Sequence, residues 1–274
     1  MNYFSGKTAV VTGAGSGIGR ALAVQLAEQG CHLAISDIDE RGLAGTMDLL
    51  PRREELKVSS HRLDVSDRAA FAAYAAEAAR FLGKVDIVIN NAGVASRPLM
   101  LNEYDYAEYE RVIGVNLWGV IHGSHEFLPH LLANPGSHLV NISSIFGLVA
   151  PPQNGAYCLT KFAVRGYTEA LRADLKGSGV QVSCVHPGVI ATNIASAAGA
   201  SDDVVKLFAE KGMSADKAAA TMLKGIARGK ARILVTFGAR LLDTLQRLSP
   251  GGYHRLVLPL LGAKEDQVVS KHNG

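Results

Sequence analysis

The sequence is short of cysteine, aromatic residues and long apolar runs. Its three cysteines, Cys31, Cys158 and Cys184, are scattered and form no CxxC pair. That excludes a disulfide framework and leaves buried free thiols as the expectation. No apolar run reaches the roughly 18 residues of a membrane span. The stretch from Met1 to Lys7 lacks the basic start and apolar segment of a secretory signal, so a cytoplasmic protein is expected. Aromatics make up 6%, with Trp118 the one tryptophan. A nucleic-acid module needs a basic stripe interleaved with aromatics, and the basic stretch from Lys224 to Arg247 holds only Phe237. Nucleic acid is therefore not an expected partner. Charged residues are 19% against 48% hydrophobic, which excludes disorder as the dominant state.

Glycine, by contrast, is abundant, with 29 in 274 residues. Extra glycine marks tight turns or close backbone approach to a partner. The net charge of +3 hides an uneven distribution, because residues 211–255 carry nine Lys/Arg against two Asp/Glu. A solvated basic face is the simpler reading, and a surface for anionic ligands or lipid headgroups is the other.

The length suits one large α/β domain or two small ones. Short apolar runs at 7–12, 32–36, 57–63, 85–89, 138–142, 180–185 and 232–236 read as strands. The third is more polar and belongs near an edge. Helical spacing covers 18–29, 103–132 and 155–176, with Asp67 and Ser214 capping two more helices. This alternation implies βαβ units and a Rossmann-type, doubly wound parallel sheet of about seven strands with helices on both faces. No linker divides 1–236, and 237–274 form a helical C-terminal extension.

The first strand runs into Thr12-Gly-Ala-Gly-Ser-Gly-Ile-Gly19 at the head of a helix. The spacing is neither GxGxxG nor a P-loop, but the physics is that of a phosphate cradle. Glycines permit close approach, and the helix start offers free N–H groups and the positive end of its dipole. Asp37 ends the second strand, where a carboxylate can take both hydroxyls of an adenosine ribose and repel a 2′-phosphate. NAD is favoured on that ground. NADP stays open, because Arg20 or Arg41 could offset the charge.

Further along come Asn90-Asn-Ala-Gly93, Ser143-Ser144, Tyr157-x-x-x-Lys161, His186-Pro-Gly188 and Thr192. With the glycine loop, this ordered set closely resembles the short-chain dehydrogenase/reductase family over residues 6–236. The resemblance implies a single-domain NAD(P)-dependent oxidoreductase. It implies that Ser144, preceded by Ser143, is the catalytic serine, Tyr157 the acid/base, Lys161 its partner and Asn116 the support of a water-borne proton relay. It places the cofactor on Gly13, Gly15, Ser16, Gly17, Ile18 and Gly19, on Asp37, and on Asp64 and Val65 beside the adenine. Asn90 lies beside the ribose, with Asn91, Ala92 and Gly93 in the same motif. Pro187, Gly188, Val189, Ile190 and Thr192 hold the nicotinamide side, where Tyr157 and Lys161 also bind.

The chemistry follows from residue types. A free tyrosine, with pKa about 10, is a poor base at neutral pH. Lys161, one helical turn on, is expected to lower that pKa. Ser144 can donate to the substrate oxygen as charge builds there. The resemblance makes residues 189–213 the substrate lid; its stretch from Val189 to Ala200 is apolar and small-sided with no fixed charge before Asp202, and Leu148, Val149, Pro151 and Pro152 form another wall, so the expected substrate is an apolar secondary alcohol or ketone. Family members pair through long helices, so a homodimer or homotetramer is expected. His122, His125 and His130 share a helix without a further cluster, and no metal is expected. In the extension, Leu241, Leu242, Leu245 and Leu248 recur at helical spacing before Ser249-Pro-Gly-Gly252 and Arg255-Leu-Val-Leu-Pro-Leu-Leu261. Packing on the body or a sister subunit is the favoured reading, with contact to a membrane surface the other. The competing functions are a nucleotide-sensing regulator that lost turnover, a peripheral membrane protein, and an epimerase or dehydratase on the same scaffold.

Overall fold

The computed structural model describes residues 2–253 and 255. Among them, seven parallel strands form one sheet: β1 (Thr8–Thr12), β2 (His32–Asp37), β3 (Val58–Arg62), β4 (Ile87–Asn90), β5 (His138–Ile142), β6 (Gln181–His186) and β9 (Arg232–Leu234). Their spatial order is β3-β2-β1-β4-β5-β6-β9. The first half of the chain builds outward from β1 in one direction and the second half from β4 in the other. The carboxyl ends of β1 and β4 therefore flank the crevice where such sheets bind ligands.

The strands alternate their side chains between two apolar layers, as a period of two requires. Val11, Ile35 and Ile89 join Leu22 and Leu26 of α1 (Gly17–Glu28) and Met222 of α9 (Ala215–Ala227). Val10, Ala34, Val88 and Leu139 join Phe71 of α3 (Arg68–Leu82) and Phe127 of α5 (Gly119–Leu132). Every residue of β1, β4 and β5 is buried, whereas β3 is mixed and lies at the edge, as its polarity led one to expect.

Three elements differ from the sequence reading. The stretch from 103 to 132 is not one regular helix. It comprises α4 (Tyr106–Ile113), a π-helical turn at Gly114–Trp118, and α5. A second helix, α2 (Glu40–Leu49), follows β2 and went unseen because Gly42 and Gly45 interrupt its pattern. Asp39 caps it through the Arg41 amide at 3.1 Å. The lid is tied at its neck: β7 (Ile190–Ala191) pairs with β8 (Met213–Ser214), and α7 (Ile194–Ala197) and α8 (Asp202–Lys211) lie between them. Helix α10 (Phe237–Leu248) follows α6 (Gly155–Asp174) and β9 and packs its inner face against the turn after β5. Residues 256–261 of the membrane-contact reading lie outside the described residues. Among those described, no helix is long and apolar enough to cross a membrane.

Two histidines lie wholly inside this frame. His138 pairs Nε2 with Ser183 Oγ at 2.7 Å, and His186 sets Nδ1 against the Ser144 carbonyl at 2.9 Å. Burial pushes both down from 6.5 to about 4. Between those values the unfolded chain binds more protons than the folded one, so stability falls as pH drops through that window. At about pH 5 the loss is on the order of 2 kcal/mol per histidine. Urea unfolding at about pH 7 and pH 5 is expected to show it, and a His138→Gln variant should lose less on acidification.

Candidate active site

The glycine loop closes on itself. Gly13 has φ +68°, and a methyl group there would stand 2.7 Å from the Ala92 α-carbon. At Gly19 it would collide with the Gly13 carbonyl and stand 2.5 Å from Asn91 Nδ2. Asn91 is the brace of this loop, since its Nδ2 donates to the Thr12 carbonyl at 2.9 Å and the Gly13 carbonyl at 3.1 Å. The Thr12 hydroxyl in turn accepts from the amides of Asn91 and Ala92 at 3.0 and 3.1 Å. Arg20 is spent on the same scaffold. It donates to the Gly15 and Gly42 carbonyls and to Thr46 Oγ1, so it is not free to meet a 2′-phosphate. Arg41 is exposed at the start of α2.

Ser16, exposed at the N-cap of α1, makes no side-chain cap, whereas α2, α3, α4, α9 and α10 all have one. The first amides of α1 are thus left without a side-chain acceptor, beside glycines too close-packed to bear a Cβ. This cradle fits the phosphates of a dinucleotide. Asp37 stands at its rim, where Oδ2 accepts from the Gly15 amide at 2.8 Å and Oδ1 from Asp39 at 3.0 Å. Gly19→Ala should therefore disturb both loop and fold. Overpacking of this kind costs about 1–3 kcal/mol. We expect a lowered melting temperature and NADH affinity weakened at least about tenfold in a fluorescence titration.

The other cofactor candidates separate into contact positions and braces. Asp64 is half-buried and turns the chain after β3 by accepting from Ser66 N at 2.9 Å and Ser66 Oγ at 2.6 Å. Val65 is buried against α5, and its carbonyl meets His122 Nδ1 at 3.0 Å. Asn90 does not open onto the crevice. Its side chain is buried, with Nδ2 on Asn141 Oδ1 at 2.8 Å and Ser124 Oγ at 3.3 Å. Pro187 is buried and its carbonyl accepts from the Ile145 amide at 2.7 Å. Gly188 lies under Thr236, and Val189 and Ile190 lead into the lid neck. Thr192 reaches back to the loop: a methyl group on Gly17 would lie 3.1 Å from its Cγ2. Ile18 is half-buried beside the first apolar layer.

On the other side of Gly93 lie the polar residues of the candidate chemistry. A methyl group at Gly93 would stand 3.2 Å from Asn116 Oδ1 and 3.3 Å from Lys161 Nζ, so an alanine there would have to push these side chains back by a few tenths of an ångström. Asn116 sits in the π-helical turn, a distortion frequent at functional sites. Its amide holds Val94 from both ends, accepting from Val94 N and donating to Val94 O at 2.8 Å each, and also donates to Thr160 Oγ1 at 3.2 Å. Helix α6 carries Tyr157 and Lys161 one turn apart. Lys161 is buried, and Nζ donates to the Ile142 carbonyl at 3.1 Å and lies 5.6 Å from the Tyr157 ring centre. Ser143 Oγ donates to the Lys161 carbonyl at 2.7 Å, fixing α6 to the end of β5. Ser144 Oγ accepts from Phe146 N at 3.1 Å, and Ser144 is the side chain that opposes the upward shift of the Tyr157 phenol.

The pKa pattern corrects one expectation. Lys161 does not bring the phenol down here. Burial pushes Tyr157 up to about 12, with the Ser144 hydrogen bond opposing it, and holds Lys161 down at about 8. The ammonium is held by the Ile142 carbonyl at 3.1 Å and stands over the ring, 5.6 Å from its centre. A phenol held this high is a proton donor at neutral pH.

The walls also differ from expectation. Leu148 and Val149 are fully buried and face inward, so Phe146 is the residue of that turn that meets Tyr157, edge-on at 6.2 Å between ring centres. Sequence reasoning missed His186 as the support of the Ser144 carbonyl, Thr236 at the head of α10 as a contact of Gly188, and Tyr253 as a contact from the extension. Among the described residues, no group of three His, Cys, Asp or Glu could hold a metal ion. All three cysteines are free and buried.

The profile of the family described as short chain dehydrogenase matches residues 7–203. "Putative oxidoreductase SadH" of Mycobacterium tuberculosis is 44% identical over 266 residues, covering 94% of this chain and 96% of its own. The 2-dehydro-3-deoxy-L-rhamnonate dehydrogenase (NAD(+)) of a Sphingomonas species is 34% identical, over 70% of this chain and 75% of its own. A short chain dehydrogenase/reductase from Burkholderia phymatum, solved in complex with NAD, superimposes with a TM-score of 0.84. It is 35% identical and covers 91% of this chain and 95% of its own.

Proposed function

The chain belongs to the short chain dehydrogenase family, oxidoreductases that act on CH–OH groups with a nicotinamide cofactor, and from that premise we propose a more specific activity. It interconverts an apolar secondary alcohol and its ketone, prefers NAD, and uses Tyr157 as general acid/base. The observation that carries this reading is the placement of Ser144 at the carboxyl end of β5 and of Tyr157 and Lys161 one turn apart on α6, with Lys161 Nζ beside Gly93 and the glycine loop close by.

The cradle from Gly13 to Gly19 would hold the phosphates, Asp37 the adenosine ribose, and Thr192 with the lid neck the nicotinamide end. Bound there, the dinucleotide supplies the hydride acceptor or donor. The chain does the rest. Ser144 donates a hydrogen bond to the substrate oxygen. Tyr157 gives its proton to that oxygen in reduction and takes the alcohol proton in oxidation. Lys161, whose Nζ stands beside Gly93, would hold the nicotinamide ribose. Asn116 fixes Val94 and the loop beyond it, and the water-borne relay is assigned to this region.

An apolar substrate is supported by the lid, where Val204 and Leu207 of α8 are exposed and no residue of that helix is buried. A homodimer or homotetramer is supported by Leu132 on α5 and by Leu159 and Phe162 on α6, large apolar side chains left exposed. The test is formation of reduced nicotinamide from NAD⁺ or NADP⁺ with secondary alcohols from short aliphatic to steroid-sized. Turnover with NAD⁺ supports the proposal. NADH binding without turnover on any alcohol or ketone would count against it.

A further inference from the structure

We propose that α10 and Tyr253 form a strut for the substrate-side wall of the active site, and that Tyr253 is a positioning residue for substrate and not for cofactor. The inference rests on the proposed function above and deepens it.

A third apolar cluster stands apart from the two layers on the sheet. It joins Ile145 and Val149 of the turn after β5 to Ala239 and Leu242 of α10 and to Tyr253, with Phe146 and Leu245 at its fringe. This turn begins at Ser144, and Phe146 from it meets Tyr157 edge-on. The C-terminal extension thus supports the wall immediately beside the reacting groups.

The backbone shows why the support matters. Inside the turn, Gly147 N, Leu148 N and Val149 N donate to the carbonyls of Ser144 and Ile145. The next amide, Ala150 N, has no such local acceptor and donates to the Tyr253 phenol oxygen at 3.1 Å. Pro151 and Pro152 then follow and have no amide to anchor. After them Gln153 takes φ +59°, the one non-glycine residue at positive φ among those described, and the chain enters α6 towards Tyr157. The Tyr253 hydroxyl is therefore the last amide anchor before the two prolines.

The strut is itself fixed at the head and in the middle of α10. Thr236 caps α10 by accepting from Ala239 N at 3.1 Å and also presses on Gly188. Asp243, on the same helix, accepts from Arg232 at the start of β9 at 2.5 Å and from Arg247 at 3.2 Å. The helix is held to the sheet, so Tyr253 has a firm base from which to hold Ala150.

The test is Tyr253→Phe in the full chain, which removes the hydroxyl and keeps the ring in its cluster. Three readouts separate positioning from general packing. Amide exchange over residues 146–154 should rise about tenfold at Ala150. KM for the probe alcohol, 2-octanol, should rise about fivefold or more, with kcat and the NADH Kd each within about twofold. Leu245→Ala, at the cluster fringe, should act in the same direction. Unchanged exchange at Ala150, or kcat and NADH affinity falling together while KM holds, would overturn the proposal. If the wild-type protein does not turn over 2-octanol, that failure falls on the proposed function, and the exchange measurement still decides the strut.

Discussion

Replacing Tyr157 by Phe is expected to lower kcat about a thousandfold, with NADH affinity unchanged within about twofold. The substitution removes one oxygen from a ring that stays packed against Phe146. It removes no part of the glycine cradle, whose contacts run through Asn91, Ala92 and Thr192. General acid–base groups contribute about 10²–10⁴ in rate, and a phenol that burial holds at about 12 is protonated and ready to donate. Stopped-flow reduction of a ketone by bound NADH would give the rate of the proton-coupled step. A variant that keeps more than about a tenth of wild-type kcat would remove Tyr157 from that role.

The second large effect concerns cofactor choice. Asp37→Asn should cut the preference for NAD over NADP, as a ratio of kcat/KM values, by about 100-fold. The carboxylate stands at the rim of the cradle, 2.8 Å from the Gly15 amide, where we propose that the adenosine ribose binds. Two unit charges about 5 Å apart at an effective dielectric near 20 repel by about 3 kcal/mol, which is roughly two powers of ten. Asparagine removes the charge and keeps an acceptor for one of the two amides that Asp37 serves, Gly15 or Asp39. Arg20 offers no relief in the wild type, because its guanidinium is tied to Gly15, Gly42 and Thr46. A ratio that does not move would place the discrimination elsewhere, with the exposed Arg41 the next residue to change.

The fold was readable because the alternation was regular. The strand at β1 and the loop after it announce themselves in a run of β-branched residues followed by Gly13, Gly17 and Gly19. Even the edge position of β3 followed from Ser59, Ser60 and His61 in its pattern. Helix α2 was hidden because glycines at 42 and 45 weaken its periodicity, although Asp39 was a legible cap. The π-helical turn at Asn116 could not be read, since a one-residue insertion in helical bonding leaves composition untouched.

At the site, motif residues were legible as types, but not the direction in which each side chain points. Asn90 and Asn91 are neighbours of the same type. One is buried against Asn141 and the other braces the glycine loop, a difference set by strand alternation at the end of β4. The position of Lys161 on the helix was evident, yet its ammonium is held by the Ile142 carbonyl, which belongs to a strand 19 residues away. Tyr253 gave no signal, because its partner is a backbone amide 103 residues earlier.

The most direct measurement is isotope transfer with a secondary alcohol carrying deuterium on its carbinol carbon. NAD⁺ and the alcohol are incubated with the protein and with Tyr157→Phe, and the reduced dinucleotide is analysed by mass spectrometry. The account predicts one deuterium in each NADH formed, and loss of nearly all product with Tyr157→Phe. NADH formed without deuterium, or equal labelled product from the variant, would contradict it.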